Sequence, residues 1–307
     1  MNILVTGGAG FIGSHLVEWL VEQGHRVRVL DNFSSGHPES LASVRGAIEL
    51  VAGDIRDLAA VRAAARDVDL IVHLAAMVSV VQSIAEPLAA QAINAMGSLH
   101  VLEAARQAGV RRVVQASSCA VYGDAARLPI DEDTPPEPLS PYAATKLAAE
   151  QAGRLYSRLY GLEAVALRFF NVYGPRQDPA SPYAAVVPRF VAALRGGQQP
   201  TIYGDGGQSR DFVFVGDVVR ALWVAATAPG IAGEVFNVGR GEARSVLDLA
   251  HTIGALLGVD VRPQFAPPRD GEVRHSRADV ARFAERAGFR AATSLRAGLE
   301  ATIADMR

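Results

Sequence analysis

The sequence predicts an α/β protein built on a doubly wound parallel sheet, with a smaller, mostly C-terminal lobe. Three observations carry that prediction. Short β-rich runs alternate with longer stretches of helical period through the first half of the 307 residues. The β-rich runs are nearly continuously apolar, the pattern of strands covered on both faces. Strand–helix–strand order with such strands implies parallel pairing through right-handed crossovers.

In order, "NILVT" (2–6) reads as the first strand and the amphipathic stretch from Phe11 to Glu22 as the first helix. "RVRVL" (26–30), "AIELVAG" (47–53), "DLIVHLAA" (69–76) and "RRVVQAS" (111–117) follow as strands, with helical segments near 57–66, 87–108 and 141–160. After "EAVALRFF" (163–170) the texture changes to turn clusters such as "YGPRQDPASP" and "YGDGGQSRD" among short helices and strands. "DFVFV" (211–215) and "EVFNVG" (234–239) are expected to return to the main sheet. The expected division is therefore 1–171, with strands from about 211–240, as the sheet domain, and 172–210 with 241–307 as the lobe. "PIDEDTPPEPLSP" (129–141) reads as a solvated loop at a pocket rim.

Half the residues are apolar and the formal net charge is −2, which gives no electrostatic case for nucleic acid or an anionic membrane. One cysteine, Cys119, excludes an intramolecular disulfide framework and a Cys-cluster metal site. The histidines lack H-E-x-x-H or Cys/His spacing, and no metal is expected. With no signal-peptide pattern and no apolar run of roughly 18 residues, a cytoplasmic setting is expected.

"TGGAGFIG" (6–13) joins the first strand to the first helix, with Gly7, Gly10 and Gly13 in G-x-x-G-x-x-G spacing. Such a turn lets backbone approach a pyrophosphate, and the helix N-terminus supplies free N–H donors, as in Rossmann-type sheets. Asp31 ends the second strand, where a carboxylate can accept from an adenosine ribose and repel a 2′-phosphate. NAD is favoured over NADP.

Tyr142 and Lys146 stand at i and i+4 on one helix face, behind Ser140 and Pro141 at the N-cap and first helical position. Tyr and Lys also meet this way on ordinary helix surfaces. What distinguishes this pair is "SSCAVYG" (117–123) at the end of the fifth strand, the carboxyl edge where open parallel sheets bind ligands. An ammonium and a cationic nicotinamide near the phenol are expected to favour its phenolate and make it a base.

With these residues in view, the chain resembles the extended short-chain dehydrogenases/reductases, specifically the nucleotide-sugar epimerase/dehydratase family. The similarity runs nearly end to end, through "TGGAGFIG", "SSCAVYG", "PYAATK", "LRFFNVYGPR", "YGDGGQSRDFVFV" and "PPRDGEVRHSRAD". The resemblance implies NAD as cofactor, a UDP-sugar as substrate, Tyr142 as base, Lys146 as its electrostatic partner and ribose ligand, and Ser118 on the sugar O4. It implies NAD contacts at Gly7, Gly10, Phe11, Ile12, Gly13, Asp31, Asn32, Ser35, Gly36, Asp54, Ile55, Leu74, Ala75, Ala76, Asn94 and Phe170, beside Tyr142 and Lys146. Asn171, Arg210 and Arg269 match residues that hold the diphosphate, Tyr203 an aromatic beside the uracil, and Val187 a further substrate contact. Two arginines on a pyrophosphate also make independent sense, since charge-assisted bonds to phosphate are strong.

Most branches of this family begin by oxidising the sugar at C4. The 4,6-dehydratases carry Asp-Glu after the hydroxyl residue, and the UDP-glucuronate decarboxylases usually a glutamate at the second position; here stand Cys119 and Ala120. A catalyst with Ser, Tyr, Lys and NAD alone implies reversible C4 epimerisation. Ser276 aligns with a gate position where a bulky tyrosine restricts some epimerases to glucose and galactose, so UDP-GlcNAc and UDP-GalNAc are expected substrates, with UDP-Glc and UDP-Gal possible beside them. Val78 replaces a lysine of that restricted type. The rivals are a UDP-glucuronate 4-epimerase, using Arg189 or Arg274 for the carboxylate, and a non-catalytic NAD-binding module. Cys119 reads as a small packing residue. Related enzymes pair helices like 87–108 and 141–160 into a homodimer, which is expected here.

Overall fold

The computed structural model describes residues 1–179, 185–268 and 273–306. Its first half runs β1 (Asn2–Thr6), α1 (Phe11–Glu22), β2 (Arg26–Asp31), β3 (Ile48–Ala52), α2 (Leu58–Ala64), β4 (Leu70–His73), α3 (Val80–Ala85), α4 (Pro87–Ala90), a π-helical turn (Gln91–Met96), α5 (Gly97–Ala108), β5 (Arg112–Ser118) and α6 (Pro141–Tyr160). There follow β6 (Glu163–Phe169), β7 (Asn171–Tyr173), α7 (Val186–Arg195), β8 (Thr201–Tyr203), β9 (Ser209–Phe214), α8 (Val215–Thr227), β10 (Val235–Val238), β11 (Ala243–Ser245), α9 (Val246–Leu257), β12 (Gln264–Ala266), α10 (Ala281–Ala287) and α11 (Leu295–Asp305).

Seven strands form one sheet in the order β10-β6-β5-β4-β1-β2-β3, every pair parallel. Alternate residues of each strand feed two cores, which explains the continuous apolar runs. Ile3, Val5, Val72, Val114 and Val165 pack with Leu16 and Val17 of α1 and Val218 and Leu222 of α8. Leu4, Ile71, Val113 and Ala164 pack on the other face with Val61 of α2 and Val101 and Leu102 of α5. A third core, with Tyr173, Phe190, Ile202, Phe212 and Leu249, belongs to the smaller lobe.

Three expectations change. "EVFNVG" joins the main sheet as β10, but "DFVFV" does not. As β9 it pairs with β7 and β11 in a separate three-stranded sheet. The chain leaves the main sheet at Phe170 and continues as β7, so β9 finds its partner there. The stretch 87–108 is not one helix, because the π turn interrupts it around Asn94. Nor is 129–141 a wholly solvated loop. Ile130 and Glu132 are buried, with Ile130 N donating to Arg277 O and Glu132 Oε1 accepting from Asn237 N.

Helix α6 matches its expected bounds. The Ser140 hydroxyl caps Ala143 N at 3.2 Å, Pro141 opens the first turn and Gly161 ends the helix in the left-handed region. Its inner face is polar: Glu150 accepts from Ser117 Oγ at 2.5 Å and takes a bidentate bond from Arg168 at 2.9 and 2.7 Å, with both charges buried. Arg168 also stacks over the Tyr122 ring. Removing one partner of such a pair leaves a buried charge uncompensated, so Arg168→Met is expected to cost about 3–5 kcal/mol in urea unfolding at pH 7. A loss below about 1 kcal/mol would mean that water reaches Glu150.

Candidate active site

The strand order reverses between β1 and β4, and the carboxyl ends of β1, β2, β4 and β5 converge there. The glycine turn is locked into this edge. A side chain on Gly7, at φ +70°, would meet Ala75 N at 2.6 Å, and one on Gly13 would meet Gly7 O at 2.1 Å. Asp31 braces the turn through Oδ2, which accepts from Ala9 N at 2.9 Å, while Oδ1 accepts from Phe33 N at 2.8 Å. Gly36 also packs on Ala9, and Asn32 Nδ2 donates to Asp54 Oδ2 at 2.8 Å. Arg56 holds Asp54 well below the usual carboxylate range. Leu74, Ala75 and Ala76 follow β4 at the same edge, Ile55 is buried and Ser35 is exposed on the loop.

This cradle fits a dinucleotide. Gly10 is the exception among the three glycines: a Cβ there would meet only Gly7 O, at 3.3 Å. It also starts α1 without a side-chain cap, and no acid stands in the first turn. The N–H groups of Phe11, Ile12 and Gly13 are therefore available to an anion, with the helix dipole behind them. Two further predicted NAD contacts, Asn94 and Phe170, are buried. Asn94 clamps Met77 from both sides, its Oδ1 accepting from Met77 N at 2.8 Å and its Nδ2 donating to Met77 O at 3.0 Å and to Thr145 Oγ1 at 3.1 Å. Phe170 is buried with Val121, Tyr122, Ile130 and Ala278.

The catalytic candidates meet where β5 ends against α6. The Ser118 side chain lies beside Tyr142 and Cys119, and its Oγ accepts from Ala120 N at 3.2 Å. Lys146 Nζ donates to Ala116 O at 2.9 Å and lies 5.9 Å from the Tyr142 ring centroid. Burial dominates both groups: it pushes the Tyr142 phenol up to about 12 and the Lys146 ammonium down to about 8, against the help of Glu150. The expected phenolate is thus not the state of the ligand-free protein, since the ammonium that was to favour it is itself desolvated and turned onto a carbonyl. His73 is neutral by the same cause, burial holding it near 3, and it links Thr6 Oγ1 at 2.7 Å to Ser98 Oγ at 2.9 Å.

Ser276 reaches this cluster from far along the chain. Its segment is pinned by Ser276 N to Ser209 O at 3.1 Å, Asp279 N to Ile130 O at 2.8 Å and Ala278 N to Asp211 Oδ2 at 3.0 Å. Asp211 also accepts from Arg240 N and Gly241 N, and burial pushes its carboxyl up to about 6. Ser276 is buried beside Cys119, whose thiol burial pushes up to about 11. A neutral, buried thiol of this kind packs and is a poor nucleophile.

Next to it, the lobe encloses a cavity of about 240 Å³ lined by Asn171, Val187, Tyr203 and Arg210, four of the predicted substrate contacts, together with Gln208 and Arg189. Arg269 lies outside the described residues. Arg274 is an exposed partner of Asp205, and Val78 is exposed. Sequence reasoning passed over Gln208, although it stands inside a quoted motif, and the Asn94–Met77 clamp, which no local pattern announces.

Residues 3–239 match the model of the NAD dependent epimerase/dehydratase family. A UDP-glucose 4-epimerase of Mycolicibacterium smegmatis is 43% identical over 99% of this chain and 97% of its own. Among solved structures, a UDP-glucose 4-epimerase of Thermotoga maritima with UDP-glucose is 38% identical, with TM-score 0.95 over 100% of this chain and 99% of that one. A UDP-N-acetylglucosamine 4-epimerase of Methanobrevibacter ruminantium, in complex with UDP-N-acetylmuramic acid, is 37% identical, with TM-score 0.95 over 99% and 97%.

The depressed Lys146 value makes a stability prediction. Between pH 8 and the ordinary value near 10.5 the unfolded chain binds this proton and the folded protein does not, so the lysine's contribution to stability rises with pH across that window. At pH 7 its charge is a net cost. Lys146→Met is therefore expected to keep or raise the thermal midpoint at pH 7 while abolishing turnover. A fall of several degrees would make the ammonium a structural group.

Proposed function

The chain belongs to the NAD dependent epimerase/dehydratase family, and within it we propose reversible C4 epimerisation of a UDP-hexose through a transient 4-keto sugar. The observation that carries this reading is the convergence of Ser118, Tyr142 and Lys146 beside Cys119 and Ala120, with no acid at either position. When bound, NAD supplies the hydride acceptor and donor at C4. Tyr142 takes the O4 proton and returns it, in a step for which Lys146 provides the nearby positive charge. Ser118, beside the phenol, orients O4 toward it. Because the proton goes back where it came from, the chemistry needs no further acid. The residues that line the lobe cavity, Asn171 and Arg210 among them, suit a diphosphate.

The substrate reading follows from the same wall. Ser276 and Cys119 are small, so a C2 N-acetyl group has room, and we read UDP-GlcNAc and UDP-GalNAc as substrates alongside UDP-Glc and UDP-Gal. The deciding experiment is proton NMR of the purified protein, without added NAD, with UDP-Gal, UDP-GalNAc and UDP-GalA in separate tubes. The 4-epimer is expected from the first two with no net cofactor consumption. Conversion of UDP-GalA alone would favour the glucuronate reading, and no conversion of any would defeat the epimerase reading. Tyr142→Phe is expected to lose at least about a hundredfold in kcat while keeping its NAD.

A homodimer is the second part of the proposal. Val81, Ile84, Leu88, Met96, Leu155 and Leu159 are at least half exposed, on adjoining elements from α3 to α6. An apolar face of this kind marks an association surface. Light scattering should find a dimer, and Leu88→Glu with Leu159→Glu should yield a monomer that still holds NAD. A wild-type monomer would refute the pairing. Among the described residues no helix is long and apolar enough to cross a membrane.

A further inference from the structure

His73 is buried at the end of β4 and takes no part in the proposed reaction. Its ring joins two other elements: Nδ1 lies 2.7 Å from Thr6 Oγ1, where β1 ends, and Nε2 lies 2.9 Å from Ser98 Oγ on α5. Counting protons fixes the tautomer. The single Ser98 hydroxyl proton goes to Asn94 O, so Ser98 accepts from the ring and Nε2 carries the hydrogen. Nδ1 of the neutral ring is then bare and accepts from Thr6, which itself accepts from Ala75 N at 3.3 Å. Beyond Ser98 the line continues through Asn94. Met77 N is a donor, so the amide atom 2.8 Å from it is Oδ1, and Nδ2 is left to donate to Thr145 Oγ1 at 3.1 Å. Thr145 in turn donates to Tyr142 O at 2.7 Å. Thr6, His73, Ser98, Asn94 and Thr145 are all buried, so each depends on its neighbour in the line for a partner.

One end of this line is Ala75, against which the glycine turn packs, and the other is the main chain of Tyr142. Resting on the epimerase reading above, we propose that His73 is a positioning residue that sets the Tyr142 helix against the dinucleotide cradle. It acts through Thr6 on one side and through Ser98, Asn94 and Thr145 on the other. A neutral imidazole suits that junction because one edge accepts while the other donates, and the ring between them is rigid. The reaction needs the phenol and the cofactor ring to meet neighbouring atoms of the sugar, and a misplacement of about 1 Å costs about a hundredfold in rate. The residues that line the lobe cavity are not on the line, so substrate binding there is independent of it.

Two measurements test this. Long-range proton–nitrogen NMR of protein carrying isotope-labelled histidine, with the His73 signal identified by its loss in His73→Gln, is expected to show a proton on Nε2 and none on Nδ1. The other tautomer would break the line and overturn the proposal. Steady-state kinetics, with the UDP-sugar that the wild type converts, then compare variants that keep their NAD. In His73→Phe, kcat is expected to fall about ten- to a hundredfold with KM within about threefold of the wild type. His73→Gln, whose amide keeps an N–H toward Ser98, should recover at least about threefold of that loss. Ser98→Ala cuts the same line with less change in volume and should lower kcat about tenfold, which decides the matter where His73→Phe does not fold. Unchanged kcat in these variants, or a loss carried by KM, would make His73 a packing residue and leave the epimerase reading standing. A wild type that converts no UDP-sugar overturns the epimerase reading, and the positioning role falls with it.

Discussion

The position of Tyr142 depends on how α6 is fastened to the sheet. An ordinary amphipathic helix rests on an apolar stripe and can slide by fractions of an ångström. The inner face of α6 is instead pinned by the directed polar bonds of Glu150 with Ser117 and Arg168. One turn further on, Gly153 lets the helix approach Gln115 so closely that a Cβ would sit 2.6 Å from Oε1. At the other end Asn94 ties Thr145 to Met77, and Ser83 accepts from Tyr142 N. The phenol is thereby set against Ser118 by bonds on both sides of the helix. The π turn that carries Asn94 is what brings its amide to Met77 and Thr145 at once, in keeping with the tendency of such turns to sit at functional sites.

The same burial that fastens the helix sets the charge state of the site. Tyr142, His73 and Cys119 are all held neutral, and Lys146 is held near the limit of its charge. Burial wins over the single ammonium because the ammonium pays its own desolvation and spends a bond on Ala116 O.

Much of this was legible in the sequence, for stated physical reasons. Continuous apolar strands reveal a doubly covered sheet, and Ser140-Pro141 with Gly161 bracket α6 because capping chemistry is local. The glycine turn was legible because its close approaches to Ala75 and Gly7 demand residues without Cβ. What was missed depends on contacts between distant segments. The exclusion of "DFVFV" from the main sheet follows from where β7 begins, and the burial of Ile130 and Glu132 follows from Arg277 and Asn237 lying against them. The bonds of the Asn94 amide to Met77 and Thr145 likewise join distant segments. The sequence shows that a lysine is near the tyrosine but not how dry it is.

An epimerase sets two demands that pull apart: the nucleotide must stay while the hexose turns over. The two ends of the site are built differently in a way that suits both. On the proposed reading, the nucleotide end is the cavity lined by Arg210, Asn171, Tyr203 and Gln208, which offer charge, amides and an aromatic ring. The sugar end is lined by Ser118, Cys119 and Ser276, which are small and uncharged. Charge-assisted bonds to a diphosphate are among the stronger ones, whereas the net value of a neutral hydrogen bond to a hexose hydroxyl is small. That difference in bonding lets one end hold while the other releases.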